Sequence, residues 1–205
     1  MSVILAIDTA APRLQLAVLR ADGDGIVDTS IDDLAQGHAE IIFPRLAALL
    51  ERNNLVYGDL TRIGVTTGPG SFTGLRIGLS AARGLGLALD IPVIGVPSLL
   101  AISLGARAGQ PLAVLLDARR DEAYFQCFSA PGHGLGEPEI LPIATARARI
   151  ARGVTLVESP FLDIGLLARF VAAASPAEFP PEAAYIRDAD AKPQDKARVA
   201  RQGAA

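Results

Sequence analysis

Few side chains in this 205-residue chain are of types that do chemistry, and their spacing limits what they can do. Histidine occurs twice and cysteine once. His38 opens the helical pattern GHAEIIFPRLAALL. Four residues on, at the next position of the same helix face, stands Ile42. His133 falls in SAPGHGLGEP, which reads as a solvated Gly/Pro-rich loop. These two histidines give no metal site, and no Ser–His–Asp or Cys–His grouping for acyl transfer is evident. Cys127, between Phe125 and Phe128, reads as a buried thiol. A lone cysteine excludes an internal disulfide and fits a reducing compartment.

The strongest chemical candidate is TTGPGSFTGLRIGLSAARGLGLALD, from Thr66 to Asp90. A strand enters a Gly-Pro-Gly turn and a helix follows, with Ser71 placed to cap it. Backbone amides and the helix dipole there would favour an anion. A phosphate loop, however, needs Lys and Ser/Thr after its last glycine, and Leu75 and Arg76 follow Gly74. The dinucleotide fingerprint fails as well, because Pro69 removes a donor and no acid follows the next strand. Helix contact explains more of the residues. Gly74, Gly78, Ala82 and Gly86 recur every four positions and form one small-residue ridge. Each interior glycine costs about 0.8–1 kcal/mol relative to alanine, so close packing must return that energy. Arg76 and Arg83, seven apart, mark a narrow exposed stripe. The preceding helix carries Ile41, Ile42 and Leu49 on more than one face, which implies burial on several sides. The simplest cover is the same helix pair of another subunit; the alternative is the chain's own second half.

Stepping outward along the chain, VILAID is a buried strand ending in Asp8, followed by a hairpin around an Asp-Gly turn. Helix, strand, helix, strand and a short helix at Pro97 complete a first unit. Near Gln110-Pro111 the pattern restarts. LAVLLDARRDEAYFQCF repeats the strand–acid–turn–strand unit of ILAIDTAAPRLQLAV, in a shorter copy. The expected architecture is α/β, with residues 1–107 as a first lobe, 108–188 as a shortened second lobe and 189–205 as a polar tail. Half the residues are hydrophobic, a fifth are charged and the net charge is -3. No basic footprint for direct nucleic-acid binding exists. The N-terminus shows no basic leader, and the longest charge-free run, residues 91–106, is broken by Pro92 and Pro97. A cytoplasmic protein without a membrane contact is expected.

The segment GPGSFTGLRIGLSAARGLGLALDIPVIGVPSLLAI, flanked by AIDTA, HAEIIFPRLAALLE, LLDARRDEAYF and YIRDADAK, resembles the TsaB (YeaZ) family of the bacterial tRNA threonylcarbamoyladenosine machinery. The likeness runs over nearly the whole chain. It implies the actin/Hsp70/sugar-kinase fold, built from two ribonuclease-H-like lobes, here with the second reduced. It also implies a noncatalytic subunit that pairs with the catalytic paralogue TsaD through its two first-lobe helices, with the ATPase TsaE joining the pair. TsaD modifies N6 of adenosine 37 in tRNAs reading codons that begin with A, and this chain would meet tRNA only through that complex. In isolation the same helices would form a homodimer. The resemblance puts Ile41, Ile42, Leu49, Gly74, Arg76, Gly78, Ala82, Arg83 and Gly86 at the partner surface. In active relatives, Asp8 and Thr9 would hold magnesium-bound phosphates, with Asp117 and Arg119 on the opposite lobe. Here Arg119 and Arg120 replace the glycine-rich turn, so no cofactor is required and at most weak ATP or ADP binding remains. The rival reading is an autonomous ATPase or kinase of the same fold; a metallopeptidase is remoter.

Overall fold

The computed structural model describes residues 2–21 and 25–184. The polar tail expected at 189–205 and the YIRDADAK motif lie outside the described residues. Two sheets organise the rest. The first contains β1 (Val3–Asp8), β2 (Arg13–Arg20), β3 (Ile26–Asp33), β4 (Arg62–Gly68) and β5 (Val93–Pro97) in the order β3-β2-β1-β4-β5. β1 and β2 pair antiparallel, as do β2 and β3, whereas β1, β4 and β5 run parallel. This order and these directions are those of a ribonuclease-H-like lobe.

Both faces of this sheet are covered, which is why β1 reads as a continuous apolar run rather than an alternating one. Helices α1 (His38–Arg52) and α2 (Phe72–Leu89) cover one face. There Leu5, Ile7, Leu16 and Val65 meet Ile42, Leu46, Leu49 and Leu79. The other face packs on α3 (Ser98–Ser103) and α5 (Ile164–Ala173), where Ile4, Ala17 and Val96 meet Leu99, Leu167 and Val171. Ion pairs from Arg45 to Asp32 and from Arg52 to Asp28 fasten α1 to edge strand β3. The Arg52 guanidinium holds the Asp28 carboxyl below its ordinary range.

The second sheet is smaller: β6 (Leu112–Arg119), β7 (Glu122–Ala130), β8 (His133–Pro142) and β9 (Thr155–Val157), in the order β8-β7-β6-β9. One short helix, α4 (Ile143–Ala148), packs on it, and α3 bridges the two sheets. Here the sequence expectations need correction. His133 is the first residue of strand β8, not part of a loop, because glycines and a proline are tolerated in an edge strand. Cys127 is only half-buried, beside Phe125 and Ala123; burial raises its thiol pKa above the ordinary value.

The second lobe also ends earlier than residue 188. Helix α5 lies on β1, β2 and β4 of the first sheet. Arg62 of β4 donates to the carbonyls of Val171 (2.8 Å) and Ala174 (2.8 Å), satisfying acceptors at the C-terminal end of α5. The chain then runs along β5, with Gly95 N–H donating to Phe179 O (2.9 Å) and Ala184 N–H to Thr67 O (2.9 Å). Residues 164–184 thus belong to the first lobe. The reason is hydrophobic: α5 places Ile164, Leu167, Ala168 and Val171 on a sheet face that α3 alone leaves open.

The glycine ridge of α2 faces inward. A Cβ added at Gly74 would lie 2.0 Å from the Thr9 carbonyl oxygen, and one at Gly78 would lie 2.3 Å from the Thr9 hydroxyl. At Gly86 the obstacle is Val93 Cγ2, at 2.3 Å, and Ala82 is fully buried in the same core. The close approach returning the glycine cost is therefore to the chain's own β1 and β5. Ile42 and Leu49 likewise belong to this core, with Ile41 partly buried against it. The placement of Gly74, Gly78, Ala82, Gly86, Ile42 and Leu49 on a partner surface is corrected accordingly. Gly84 differs from the ridge, since among the described residues nothing lies within 4 Å of its would-be Cβ. Gly74→Ala should destabilise the protein by about 1–3 kcal/mol through overpacking, whereas Gly84→Ala should stabilise it by about 0.8–1 kcal/mol through helix propensity. Chemical denaturation of the two variants checks this opposition of sign.

Candidate functional site

The carboxyl ends of β1, β4 and β5 open onto a cleft of about 620 Å³ between the two sheets. Such a crevice is where open α/β sheets place ligands. Asp8, the last residue of β1, is its buried floor. Asp8 Oδ1 accepts from the Thr66 hydroxyl (2.7 Å) and Ala10 N–H (3.1 Å), and Oδ2 accepts from Gln15 Nε2 (3.1 Å). Burial pushes the Asp8 carboxyl above its ordinary value, while the bonds from Thr66, Ala10 and Gln15 and the nearby His38 oppose the rise. His38 at the start of α1 and Ser98 at the start of α3 also line the cleft. Neither was marked by sequence reasoning as belonging there. The available signal was position, since each opens a helix and Ser98 follows β5 directly.

Asp117 and Arg119 lie at the opposite wall, both exposed. Thr9 does not join them. Its hydroxyl donates to Gly74 O (2.7 Å), so Thr9 anchors α2 and its expected role in the cleft is corrected. The turns that would cradle phosphates have amides already engaged. Ala10 N–H bonds Asp8, Arg13 N–H bonds Ala11 O (2.7 Å), and Arg119 N–H bonds Asp117 Oδ1 (2.7 Å). Arg119, Arg120 and Asp121 have φ of 63°, 57° and 60°, three successive non-glycine residues in left-handed geometry. These residues do not fit a nucleotide's phosphate chain: engaged donors and bulky side chains stand where free amides are needed. Among the described residues, no group of three or more His, Cys, Asp or Glu side chains could hold a metal ion.

The outer face of α1 and α2 is the second candidate. With the ridge turned inward, α2 presents Phe72, Arg76, Ser80, Arg83, Gly84 and Leu87 outward. Leu87 is 87% exposed, Phe72 54% and, on α1, Phe43 45%. The Arg76 guanidinium stacks 3.7 Å from the Phe72 ring centroid. A groove of about 520 Å³ runs between the helices, floored by Ile42 and Ala81 and walled by Phe43, Phe72 and Ile77. Among the described residues, none of the second lobe lines it.

Two α/β lobes around a cleft, with an uncovered helix pair on the larger lobe, define the class of protein. A family model described as TsaD, tRNA N6-adenosine threonylcarbamoyltransferase, matches residues 23–132. The chain is 34% identical over 139 residues to the tRNA threonylcarbamoyladenosine biosynthesis protein TsaB of Escherichia coli, covering 66% of this chain and 59% of that protein. It is 38% identical over 122 residues to TsaB of Bacillus subtilis, covering 59% and 52% respectively. The crystallised YeaZ of Pseudomonas aeruginosa superposes with a TM-score of 0.75 at 25% identity, covering 90% of this chain and all of that one. The chain therefore belongs to the family of that model and, within it, to the TsaB (YeaZ) members. It spans just over half the length of the curated relatives it matches. No helix among the described residues is long and apolar enough to cross a membrane.

Because burial raises the Asp8 pKa, the folded state holds a proton there at pH values where the unfolded chain has released it. The Asp8 contribution to stability should be greatest at and below the ordinary carboxyl value of 3.8 and should decline as pH rises through the elevated folded value. Wild type should therefore lose stability relative to Asp8→Asn between acidic and neutral pH, as measured by paired urea denaturations across that range. A difference that is flat or grows in the other direction would contradict the buried, unneutralised carboxyl.

Proposed function

We propose that this chain is a noncatalytic pairing subunit in N6-threonylcarbamoylation of tRNA adenosine. Its outer α1–α2 face would seat against the corresponding helices of a TsaD-type catalytic subunit, with a TsaE-type ATPase joining the pair. Alone, two copies would use the same face. The observation that carries this reading is the exposed pair Phe43 and Phe72, which wall the interhelical groove with Ile77. A contiguous exposed patch of large side chains on a folded protein marks a contact surface. Arg76 and Arg83, exposed on the same face, would set register with partner carboxylates.

The names of the relatives support the pathway, and the cleft supports the absence of catalysis. One imidazole, His38, opens α1, and the next position on its face is Ile42, held in the core. The engaged amides at Ala10 and Arg119 argue against productive binding of a nucleotide. The net charge of -3 is consistent with tRNA being reached through the complex rather than by this chain.

Phe72→Asp introduces a charge into this exposed pair without touching the core. It should weaken association with a TsaD homologue about thirtyfold or more, the loss expected of an aromatic hot spot, while the variant stays folded. Size-exclusion chromatography and calorimetric titration read this directly; undiminished association would remove the α1–α2 face from the account.

A further inference from the structure

The interlobe cleft holds hydrogen-bonding groups that the folded chain leaves unused. His38 is 5% exposed and Ser98 3%, yet among the described residues His38 Nε2 and Ser98 Oγ have no hydrogen-bond partner. Buried polar atoms are almost always satisfied, so two orphans lining one cavity are an informative exception. Asp8, 1% exposed, completes the floor. Its Oδ1 accepts two bonds but its Oδ2 only one, from Gln15, which leaves an acceptor site open. Among the described residues no lysine or arginine forms an ion pair with Asp8. A buried carboxylate without a lysine or arginine partner is an expensive arrangement that a bound cation relieves.

We propose that the cleft binds a primary amine, its –NH3⁺ received by Asp8, Ser98 and Nε2 of His38. Three N–H donors meet three acceptors, and the positive charge neutralises the carboxylate. The carbon body lies against Ile102, Leu116 and Leu162, the apolar part of the lining. An anion would face Asp8 together with Asp117 at the mouth, where Arg119 opposes them and Glu158 is paired with Arg147. A neutral alcohol supplies one donor and no charge. This binding is separate from pairing through α1 and α2, whose outer face points away from the cleft.

The test uses the full chain and three probes sharing one carbon frame: n-butylamine, n-butanol and butyrate. The imidazole signals of His38 report binding by heteronuclear NMR, and His133, outside the cleft, is the internal control. Butylamine should shift His38 saturably with a dissociation constant on the order of millimolar, with butanol about tenfold weaker and butyrate silent. Ser98→Ala should weaken butylamine about tenfold, and Asp8→Asn should do so by at least that factor. Without ligand, Ser98→Ala should melt at or above the wild-type temperature, since it removes a hydroxyl that bonds nothing. The proposal is overturned if butylamine leaves His38 unmoved or if butanol matches it. It also falls if butyrate or inorganic phosphate binds better, if magnesium chloride alone gives the same shift, or if Ser98→Ala keeps full affinity.

Discussion

The seating of α2 on β1 is the contact from which the remaining arrangement follows. Thr9 sits directly beneath the helix, donating its hydroxyl to Gly74 O while its own carbonyl and side chain occupy the space that side chains at Gly74 and Gly78 would fill. Helix and strand approach so closely that only hydrogen is tolerated at those positions. Ser71 completes the seat, its hydroxyl accepting from Gly74 N–H (3.2 Å) to cap the helix. Fixing the inner face in this way fixes the outer one. Phe72, Arg76, Arg83 and Leu87 are left exposed on that outer face.

The same contact shapes the cleft. Because Thr9 is committed to α2, Asp8 stands alone at the end of β1, held by Thr66, Gln15 and the turn amide of Ala10. Opposite, the β6–β7 turn engages the Arg119 amide with Asp117 and forces three non-glycine residues into left-handed backbone. Left-handed geometry costs an L-residue roughly 1–2 kcal/mol, so this turn is retained against a local preference for glycine. Where phosphate-binding turns leave their amides free, these turns engage those of Ala10, Arg13 and Arg119. The cleft keeps the shape of a binding site, and the buried polar groups that line it include an acid, an imidazole and a hydroxyl.

Much of the fold was legible because it rests on local pattern. Apolar runs of β-branched residues gave β1, β4 and β5; the Asp-Gly turn gave the β2–β3 hairpin; the repeat of strand, acid and turn gave the second sheet. The small-residue spacing in α2 correctly signalled a close approach. It could not say to what, since a ridge that fits a neighbouring helix fits a neighbouring strand equally well. Periodicity likewise marked Ile42 and Leu49 as buried without showing that their own sheet buries them. The return of α5 to the first sheet is a long-range choice, fixed by which face lacked cover and by Arg62 receiving the helix end. His38 and Ser98 escaped notice for a related reason. Each is an ordinary helix-opening residue until the fold sets both against Asp8.

The central claim is that one uncovered surface, the outer face of α1 and α2, is where this chain meets its partner. Hydrogen–deuterium exchange of the chain with and without a TsaD homologue measures it most directly. The account predicts added protection along His38–Arg52 and Phe72–Leu89, with β6, β7 and β8 unchanged. Protection confined to the second sheet, with both helices exchanging as in the free chain, would contradict it.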